Sequence, residues 1–433
     1  MVTHLEKEGQ KLEQLWVVLT AALFAFPLFK IPIYTSLVAI WLISSIFVAK
    51  KSGYKISKGT IKIYLILIIP FIVQSIGFLI SDEKGEALYY LERNLSIPLI
   101  PIGFALGEHA FKKKHALLFF VIFILSCFIL NSYVLLYLII NGFFSRFSED
   151  NLYNPIFRNA YTQLTNTHLP YLGIWFLFSC IIIVYILQQE KLKSYYKIVL
   201  TLIGIELFVG TFLFSARMAI IAFCLTLVAS FILYFKSIKR TLILLFLLTF
   251  TLFLLSKIPT ISHRIDEIAN TSLHPPTGSP WDPQGINQYN STNIRVGIIV
   301  CSLDILKENW LVGVGRSEVQ SSLNKCYTRF PIEGYNDYKT VDYNTHNQYI
   351  DFWLSSGLIG IILFLSFIFY IFHRSFISKD IFLFGFIMFI SISFLTENIL
   401  SRHSGVAFFA LFSSFLFIRN FILNTDLPSK GKL

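Results

Sequence analysis

The chain has 433 residues, of which 55% are hydrophobic and 14% are charged. A soluble protein of this size would need a far more polar surface, so the composition excludes an ordinary soluble globular fold. The formal net charge of +11 does not indicate a nucleic-acid partner, because most of the basic excess lies in short loops between apolar runs rather than in one patch.

Long apolar runs recur along the chain, and many approach the roughly 20 residues that a helix needs to cross a bilayer. They lack the alternation of a membrane β-strand, and every backbone group in hydrocarbon needs an internal partner. We therefore predict an all-α integral membrane protein with about twelve transmembrane helices. The predicted spans lie near 15–29, 31–49, 61–80, 95–110, 116–144, 169–187, 195–214, 216–235, 239–257, 349–372, 380–397 and 404–423.

These spans divide the chain into three parts. Residues 1–257 contain the first nine spans, 258–348 form one large, partly helical loop, and 349–433 contain the last three spans and a tail. Alternate short loops are net basic, and the positive-inside rule assigns those loops and both termini to the cytoplasm. The large loop then lies on the outer face, where a loop of this length is usually functional.

The chain has five cysteines. Cys127, Cys180 and Cys224 fall inside apolar spans and are interpreted as packing residues. Cys301 and Cys326 fall in the large loop and could pair in an oxidising compartment, although their spacing alone does not decide it. The sequence contains no cluster of Cys and His with metal-ligand spacing, so no metal site is predicted.

Two arginines on the predicted outer face suit an anionic ligand. Arg217 begins a span, where helix N-terminal amides and a guanidinium together favour phosphate; an arginine that reaches towards lipid headgroups is the alternative. Arg295 lies in the first turn of a predicted loop helix from Ile294 to about Asn309, where a cation opposes the helix dipole. It implies either an anionic ligand or a salt bridge within the loop, for example with Asp266 or Glu267.

His346 lies at the outer start of another span, in Thr345-His346-Asn347-Gln348-Tyr349. A neutral imidazole there could act as a general base, and a capping histidine is the alternative.

Gly313-Val314-Gly315-Arg316 could let the backbone approach a phosphate or could form a tight turn. Glu206 lies inside a span and indicates either a functional acid or a buried hydrogen bond.

Many glycosyltransferases hold a metal ion with paired carboxylates. No such pair stands out on the predicted outer face. Two arginines could instead neutralise a diphosphate leaving group. The residues therefore indicate metal-free transfer from a diphosphate donor.

Several of these segments together resemble the O-antigen ligase/polymerase family. The signature-like part is Gly313-Val314-Gly315, then His346-Asn347-Gln348-Tyr349-Ile350-Asp351, then Ser355-Ser356-Gly357-Leu358-Ile359-Gly360. Ser215-Ala216-Arg217 resembles the family's arginine motif at a span start. Weaker likeness occurs in Leu91–Ser96, in His168-Leu169-Pro170-Tyr171, and in Thr396-Glu397-Asn398 with Arg402. The polar stretch around Thr277–Ser291 matches nothing in the family pattern and leaves the choice of acceptor open.

The resemblance implies a multi-pass glycosyltransferase of the bacterial inner membrane with a periplasmic active site. The donor would be a glycan on undecaprenyl diphosphate, and the acceptor lipid A-core or a growing glycan. By this likeness His346 deprotonates the acceptor hydroxyl, while Arg217 and Arg295 hold the diphosphate. Transfer would invert the anomeric carbon without a metal or other cofactor. The implied substrate-binding residues are Arg93, His168, Tyr171, Gly313, Gly315, Arg316, Asn347, Tyr349, Glu397 and Arg402.

Four functions remain open at this stage. The leading expectation is a ligase that joins O-antigen to lipid A-core, and the runner-up is a polymerase of repeat units on the same carrier. A protein O-glycosyltransferase would be a third member of the same group. A transporter or flippase for a lipid-linked sugar is an alternative of another class, which predicts ionisable residues along a path at mid-membrane depth.

Overall fold

The computed structural model describes residues 2–143, 155–189, 191–214, 216–236, 291–330 and 342–425, with isolated positions 238, 239, 242 and 275. Within these ranges every regular element is helical and none is a strand. The α-helices are α1 (Val2–Phe24), α2 (Ile31–Ser52), α3 (Lys58–Leu67), α4 (Ile69–Ile80), α5 (Lys84–Arg93), α6 (Ser96–Leu106), α7 (Lys113–Ile140), α8 (Pro155–Thr165), α9 (Leu169–Gln189), α10 (Ser194–Leu213), α11 (Arg217–Ser230), α12 (Ser291–Asn309), α13 (Glu318–Tyr327), α14 (Gln348–Ser378), α15 (Ile381–Phe394) and α16 (His403–Thr425).

The all-helical prediction is confirmed for the described residues. Among them, six helices are long and apolar enough to cross a membrane: α2, α7, α9, α10, α14, and α11 with its π-helical extension Phe231–Phe235. Helices α3 and α4 would together make a seventh, across a 49° bend. Pro70 near the start of α4 accounts for the bend, because proline cannot continue the hydrogen-bond pattern of the preceding turn. The ninth predicted span, 239–257, falls almost wholly outside the described residues, and the count of twelve stays a prediction.

The fourth predicted span is shorter than the sequence suggested. Helix α6 has 11 residues and ends at Leu106, and a separate 3-10 turn, Glu108–Ala110, follows it. A helix of that length extends about 16 Å, roughly half of the hydrocarbon thickness. Pro101 lies inside the helix and removes one backbone donor, although the helix continues to Leu106.

Aromatic rings fill the centre of the bundle. The ring centroid of Phe412 on α16 lies 4.7 Å from that of Phe123 on α7 and 5.0 Å from that of Phe178 on α9, both edge-on. Close ring packing of this kind contributes about 0.5–1.5 kcal/mol per pair beyond the burial of area. These contacts hold α7, α9 and α16 together.

Helix α14 is broken at Gly357, whose φ of 64° and ψ of −162° are not helical. At the break, the Leu354 carbonyl accepts a hydrogen bond from the Val314 amide at 2.7 Å, and the Leu358 amide donates to the Leu311 carbonyl at 3.0 Å. A Cβ at Gly313, where φ is +85°, would lie 2.6 Å from the Leu354 carbonyl oxygen. Glycine at both positions therefore lets the turn 311–314 pack directly against the helix backbone.

Helices α12 and α13 form a small unit of their own on the N-terminal part of α14. A disulfide joins Cys301 of α12 to Cys326 of α13, which answers the question that the spacing left open. Around it lies a separate hydrophobic cluster that includes Ile298, Leu323 and, from α14, Leu354. The Glu318 carboxylate also accepts hydrogen bonds from the Asp82 and Glu83 amides at 2.9 and 3.1 Å. The unit is thereby fixed both to α14 and to the α4–α5 connection.

Candidate active site

His346 lies two residues before α14 in a left-handed backbone conformation, with φ of 43°. Such a conformation is uncommon outside glycine and often occurs at functional sites. Its Nδ1 is buried and lies 3.8 Å from the Glu397 carboxylate, without a closer hydrogen-bond partner. Both side chains are mostly buried, with 25% and 15% of their surfaces exposed. An imidazole beside a carboxylate at a sheltered surface is suited to proton transfer.

Short-range hydrogen bonds impose this conformation on His346. Its backbone amide donates to the Asn344 side chain at 2.9 Å. The Asn347 side chain caps α14, because its oxygen accepts from the Tyr349 and Ile350 amides at 3.0 and 3.1 Å. His346 is therefore held between an asparagine turn and an asparagine cap, which fixes the direction of its side chain.

A buried polar network lies directly behind His346, and Asp351 is at its centre. One carboxylate oxygen of Asp351 is paired with the guanidinium of Arg316, and the other accepts from Asn398 at 3.0 Å. Asn398 is hydrogen-bonded in turn to Thr345, the neighbour of His346, at 2.8 Å. All four side chains are buried. The network connects the turn before α13, the start of α14 and the α15–α16 connection.

A second histidine belongs to the same cluster. The ring centroid of His168 lies 5.9 Å from that of Tyr171, whose hydroxyl donates to the Asn398 carbonyl at 3.2 Å. The surrounding protein displaces water from His168 and lowers the pKa of its imidazole, and Arg402 lowers that pKa further, whereas Glu397 opposes the change. His168 is also close enough to His346 to interact with it electrostatically. His168 and the exposed Arg402 therefore lie close to His346.

Arg93 also reaches this cluster, from the C-terminal end of α5. Its guanidinium donates to the Ser401 carbonyl, beside Arg402, and lies over the rings of Tyr89 and Tyr90 at 4.4 and 5.3 Å. Cation–π contacts of this kind hold an arginine in place without neutralising its charge. Arg93 therefore keeps its positive charge next to the cluster.

Arg217 is the first residue of α11 and is half-buried. The neighbouring Ala216 packs so closely on Gly173 of α9 that a Cβ added there would lie 2.5 Å from the Ala216 Cβ. Gly173 is only two residues from Tyr171, so the N-terminus of α11 lies at the same end of the bundle as His168. Arg217 therefore lies at that end of the bundle, and its position on the outer face stays a prediction.

Arg295 needs a correction. Helix α12 begins at Ser291 rather than Ile294, so Arg295 is in its second turn and the argument from the helix dipole no longer applies. Its side chain is exposed. The neighbouring Ile294 packs against the same hydrophobic cluster as Tyr343 and Ile350, which lie on either side of His346 in the sequence. Arg295 thus extends from a helix that shares packing with the His346 segment.

The sequence comparison selects a segment that contains part of this site. A family model described as O-antigen ligase matches residues 202–365. This part of the chain is similar to the O-antigen ligase family. The matched segment contains Arg217, Arg295 and His346. A search of curated proteins found no match.

Several residues that the resemblance implies to bind substrate have internal partners instead. Arg316 is buried and paired with Asp351, and the Tyr349 hydroxyl donates to the Ser391 carbonyl at 3.0 Å. Asn347 caps α14, and Gly313 and Gly315 form the turn that packs on neighbouring backbone. These five residues build the site from behind, and any direct contact with substrate stays a prediction.

The sequence motifs do not reveal the buried centre of this site. Asp351 appears in them only as the last residue of the His346 segment, although an acidic residue within an apolar helix indicates function or a buried partner. The same argument applies to Glu206, whose side chain accepts a hydrogen bond from Ser132 at 3.2 Å. Among the described residues, no group of three His, Cys, Asp or Glu side chains is arranged to hold a metal ion.

Proposed function

We propose that the protein is a metal-independent, inverting glycosyltransferase of the bacterial inner membrane, and specifically an O-antigen ligase. The donor is a glycan on undecaprenyl diphosphate, and the acceptor is a hydroxyl of lipid A-core. The observation that supports this most directly is the pair His346–Glu397, at the end of the bundle that also carries His168, Arg402 and Arg93.

In the proposed step the acceptor oxygen attacks the anomeric carbon from the face opposite the diphosphate. His346 takes the proton of the acceptor hydroxyl, and Glu397 stabilises the imidazolium that forms. The bond from the anomeric carbon to the diphosphate oxygen breaks, and its electron pair leaves with the undecaprenyl diphosphate. Arg217 and Arg295, assisted by Arg93 and Arg402, neutralise the charge that develops on this leaving group.

Two features support a periplasmic site. The short basic loops alternate with loops of balanced or acidic charge, and the His346 segment belongs to the second set. The Cys301–Cys326 disulfide lies in the α12–α13 unit next to the site, and disulfides persist mainly in oxidising compartments such as the periplasm.

Purified protein, lipid-diphosphate glycan and lipid A-core provide the direct test, with and without a chelator. We expect transfer to survive the chelator and His346→Ala to lower kcat by roughly 10²–10⁴-fold. His373→Ala is the matched control, because His373 is an exposed histidine at the opposite end of the same helix, α14. Normal transfer by a folded His346→Ala variant would remove His346 from the mechanism.

A polymerase of the same family is the second candidate, because both reactions use the same donor and the same base. A deletion strain separates the two. Loss of a ligase removes all long glycan from lipid A-core, whereas loss of a polymerase leaves a single repeat attached. Flipping of the lipid-linked glycan by the reconstituted protein, without any transfer, would favour the transporter alternative.

A further inference from the structure

A cavity of about 170 Å³ opens beside the candidate active site, between the α1–α2 connection, α6, the α8–α9 connection and the start of α16. Its lining includes Ser96, Thr167 and His403. Ser96 follows Arg93 by three residues, Thr167 precedes His168, and His403 follows Arg402. The cavity and the active site are therefore built from the same three segments, and a bound molecule could extend from one into the other.

Two residues of this lining carry buried polar groups without a partner. The Tyr34 hydroxyl and the Trp175 indole nitrogen are buried and make no hydrogen bond with any described residue. Their side chains are only 5% and 3% exposed. A buried donor left unsatisfied costs about 1–3 kcal/mol. Both residues line one cavity, where a ligand with hydrogen-bond acceptors could satisfy the two groups after a small rotation of their side chains.

The other lining residues restrict the chemistry of that ligand. The Phe26 ring lies edge-on to both Tyr34 and Trp175, with centroids 5.9 and 4.9 Å apart, so the donors are set among aromatic faces. Lys30, Ser96 and Ser404 add further polar groups. An isoprenoid chain offers no acceptor to any of them. A diphosphate would need a cluster of cations around it. The described residues of this lining include one lysine, Lys30, and no arginine.

We propose that this cavity is a binding site for a sugar residue of a glycan substrate. A sugar ring presents hydroxyl and ring oxygens to the Tyr34 and Trp175 donors, and its apolar C–H faces pack on the aromatic rings. The volume is more than ten times the ~10–15 Å³ that admits one water molecule, so a ring of several heavy atoms fits. The inference rests on the proposed function, because it assigns a glycan subsite to that active site.

The first test measures binding without catalysis. The ligand is the repeat-unit oligosaccharide released by mild acid from the strain's own surface polysaccharide, titrated by calorimetry into the detergent-purified full-length protein. Tyr34→Phe and Trp175→Phe each remove one donor and keep an aromatic ring. We expect each to weaken oligosaccharide binding by about 3- to 10-fold, as the loss of one hydrogen bond implies.

Two matched controls lie on the same helices. Tyr185→Phe on α9 removes a buried hydroxyl that is bonded to Ser230, and Trp41→Phe on α2 removes an indole N–H that donates to Thr20. Neither residue lines the cavity, so both variants should bind the oligosaccharide like the wild type. Undecaprenyl phosphate is the second probe, and we expect Tyr34→Phe and Trp175→Phe to bind it normally.

Kinetics then identify which substrate occupies the cavity. A higher KM for the donor alone assigns the sugar to the donor glycan, and a higher KM for the acceptor alone assigns it to the acceptor. Unchanged oligosaccharide affinity in both variants, or weakened binding of undecaprenyl phosphate instead, would overturn the proposal. If the wild type binds oligosaccharide through Tyr34 and Trp175 but transfers nothing, the subsite stands and the proposed ligase function fails.

Discussion

At the residue scale, the contact between His346 and Glu397 gives the first prediction. Glu397→Gln keeps the size of the side chain but removes the charge that faces the imidazole at 3.8 Å. We expect kcat to fall roughly 10- to 100-fold, which is part of the 10²–10⁴-fold that a general base contributes. The KM values and the melting temperature should change little. An unchanged kcat would show that Glu397 does not assist the histidine.

His168 gives a prediction about pH. Folding lowers its pKa below the ordinary value of 6.5, through loss of water and the nearby Arg402. The unfolded chain therefore binds more protons than the folded protein as the pH falls below about 6.5, and stability decreases there. Above that pH His168 is neutral in both the folded and the unfolded protein, so its titration does not change the free energy of unfolding.

The experiment compares melting temperatures of the wild type and His168→Gln in detergent between pH 7.5 and 5. The wild type should lose stability relative to the variant as the pH falls through this range. Other histidines titrate in both proteins, so the difference between the two curves isolates His168. Parallel curves would contradict the lowered pKa.

The residues that sequence could identify are those whose chemistry is visible in a short motif. His346 and Arg217 stand at span starts, and the chain folds them to one end of the bundle because alternate helix ends meet there. Asp351 and Asn398 were not identified, because their importance lies in contacts across 47 residues of sequence. Tyr34 and Trp175 were overlooked for the same reason, since each looks like ordinary packing in its own helix.

At the element scale, the buried pair Arg316–Asp351 ties the outer segment to the start of α14. Asp351→Ala would leave the Arg316 guanidinium buried without its carboxylate. We expect the free energy of unfolding to fall by about 3–5 kcal/mol. Replacing both residues with apolar ones of similar size, Arg316→Met with Asp351→Leu, should recover much of that loss.

Asp304→Ala is the control for this pair. Asp304 forms ion pairs with Lys307 and Arg329, whose side chains are 75% and 60% exposed. Its removal should change stability by less than about 1 kcal/mol. Denaturant unfolding followed by intrinsic fluorescence measures all these variants. Equal effects of Asp351→Ala and Asp304→Ala would mean that the buried network does not hold the segment.

Helix positions were predictable from apolar runs because the bilayer fixes both their length and their hydrophobicity. The bends and breaks within these helices are harder to predict from the sequence. Pro101 and Pro70 are visible in the sequence, but whether a proline ends, bends or merely starts a helix depends on the packing around it. The break at Gly357 was not predicted at all, since a glycine within a long apolar run commonly continues a membrane helix.

At the scale of the whole molecule, orientation is the property that the bundle alone does not decide. The disulfide offers a direct measurement. The chain has five cysteines, and Cys127, Cys180 and Cys224 are free. We expect a maleimide probe to label three cysteines in the unfolded, unreduced protein isolated from cells, and five after reduction.

The double variant that carries Cys301→Ser and Cys326→Ser should show three labelled cysteines both before and after reduction. Five labelled cysteines in the unreduced wild type would indicate that the α12–α13 unit meets a reducing compartment, and the periplasmic assignment would then be wrong. An alkaline phosphatase fusion after residue 330 should be active in the same cells, whereas a fluorescent protein at the C-terminus should fluoresce.

The broken helix α14 exchanges one of its own backbone hydrogen bonds for two with the turn 311–314. Because the Leu354 carbonyl and the Leu358 amide are both used in this way, pulling the turn away would leave four backbone groups without partners. The C-terminal end of α12 is therefore an anchor and not a hinge. A movement of α12 relative to α14 would thus be largest at the N-terminal end of α12, near Ser291.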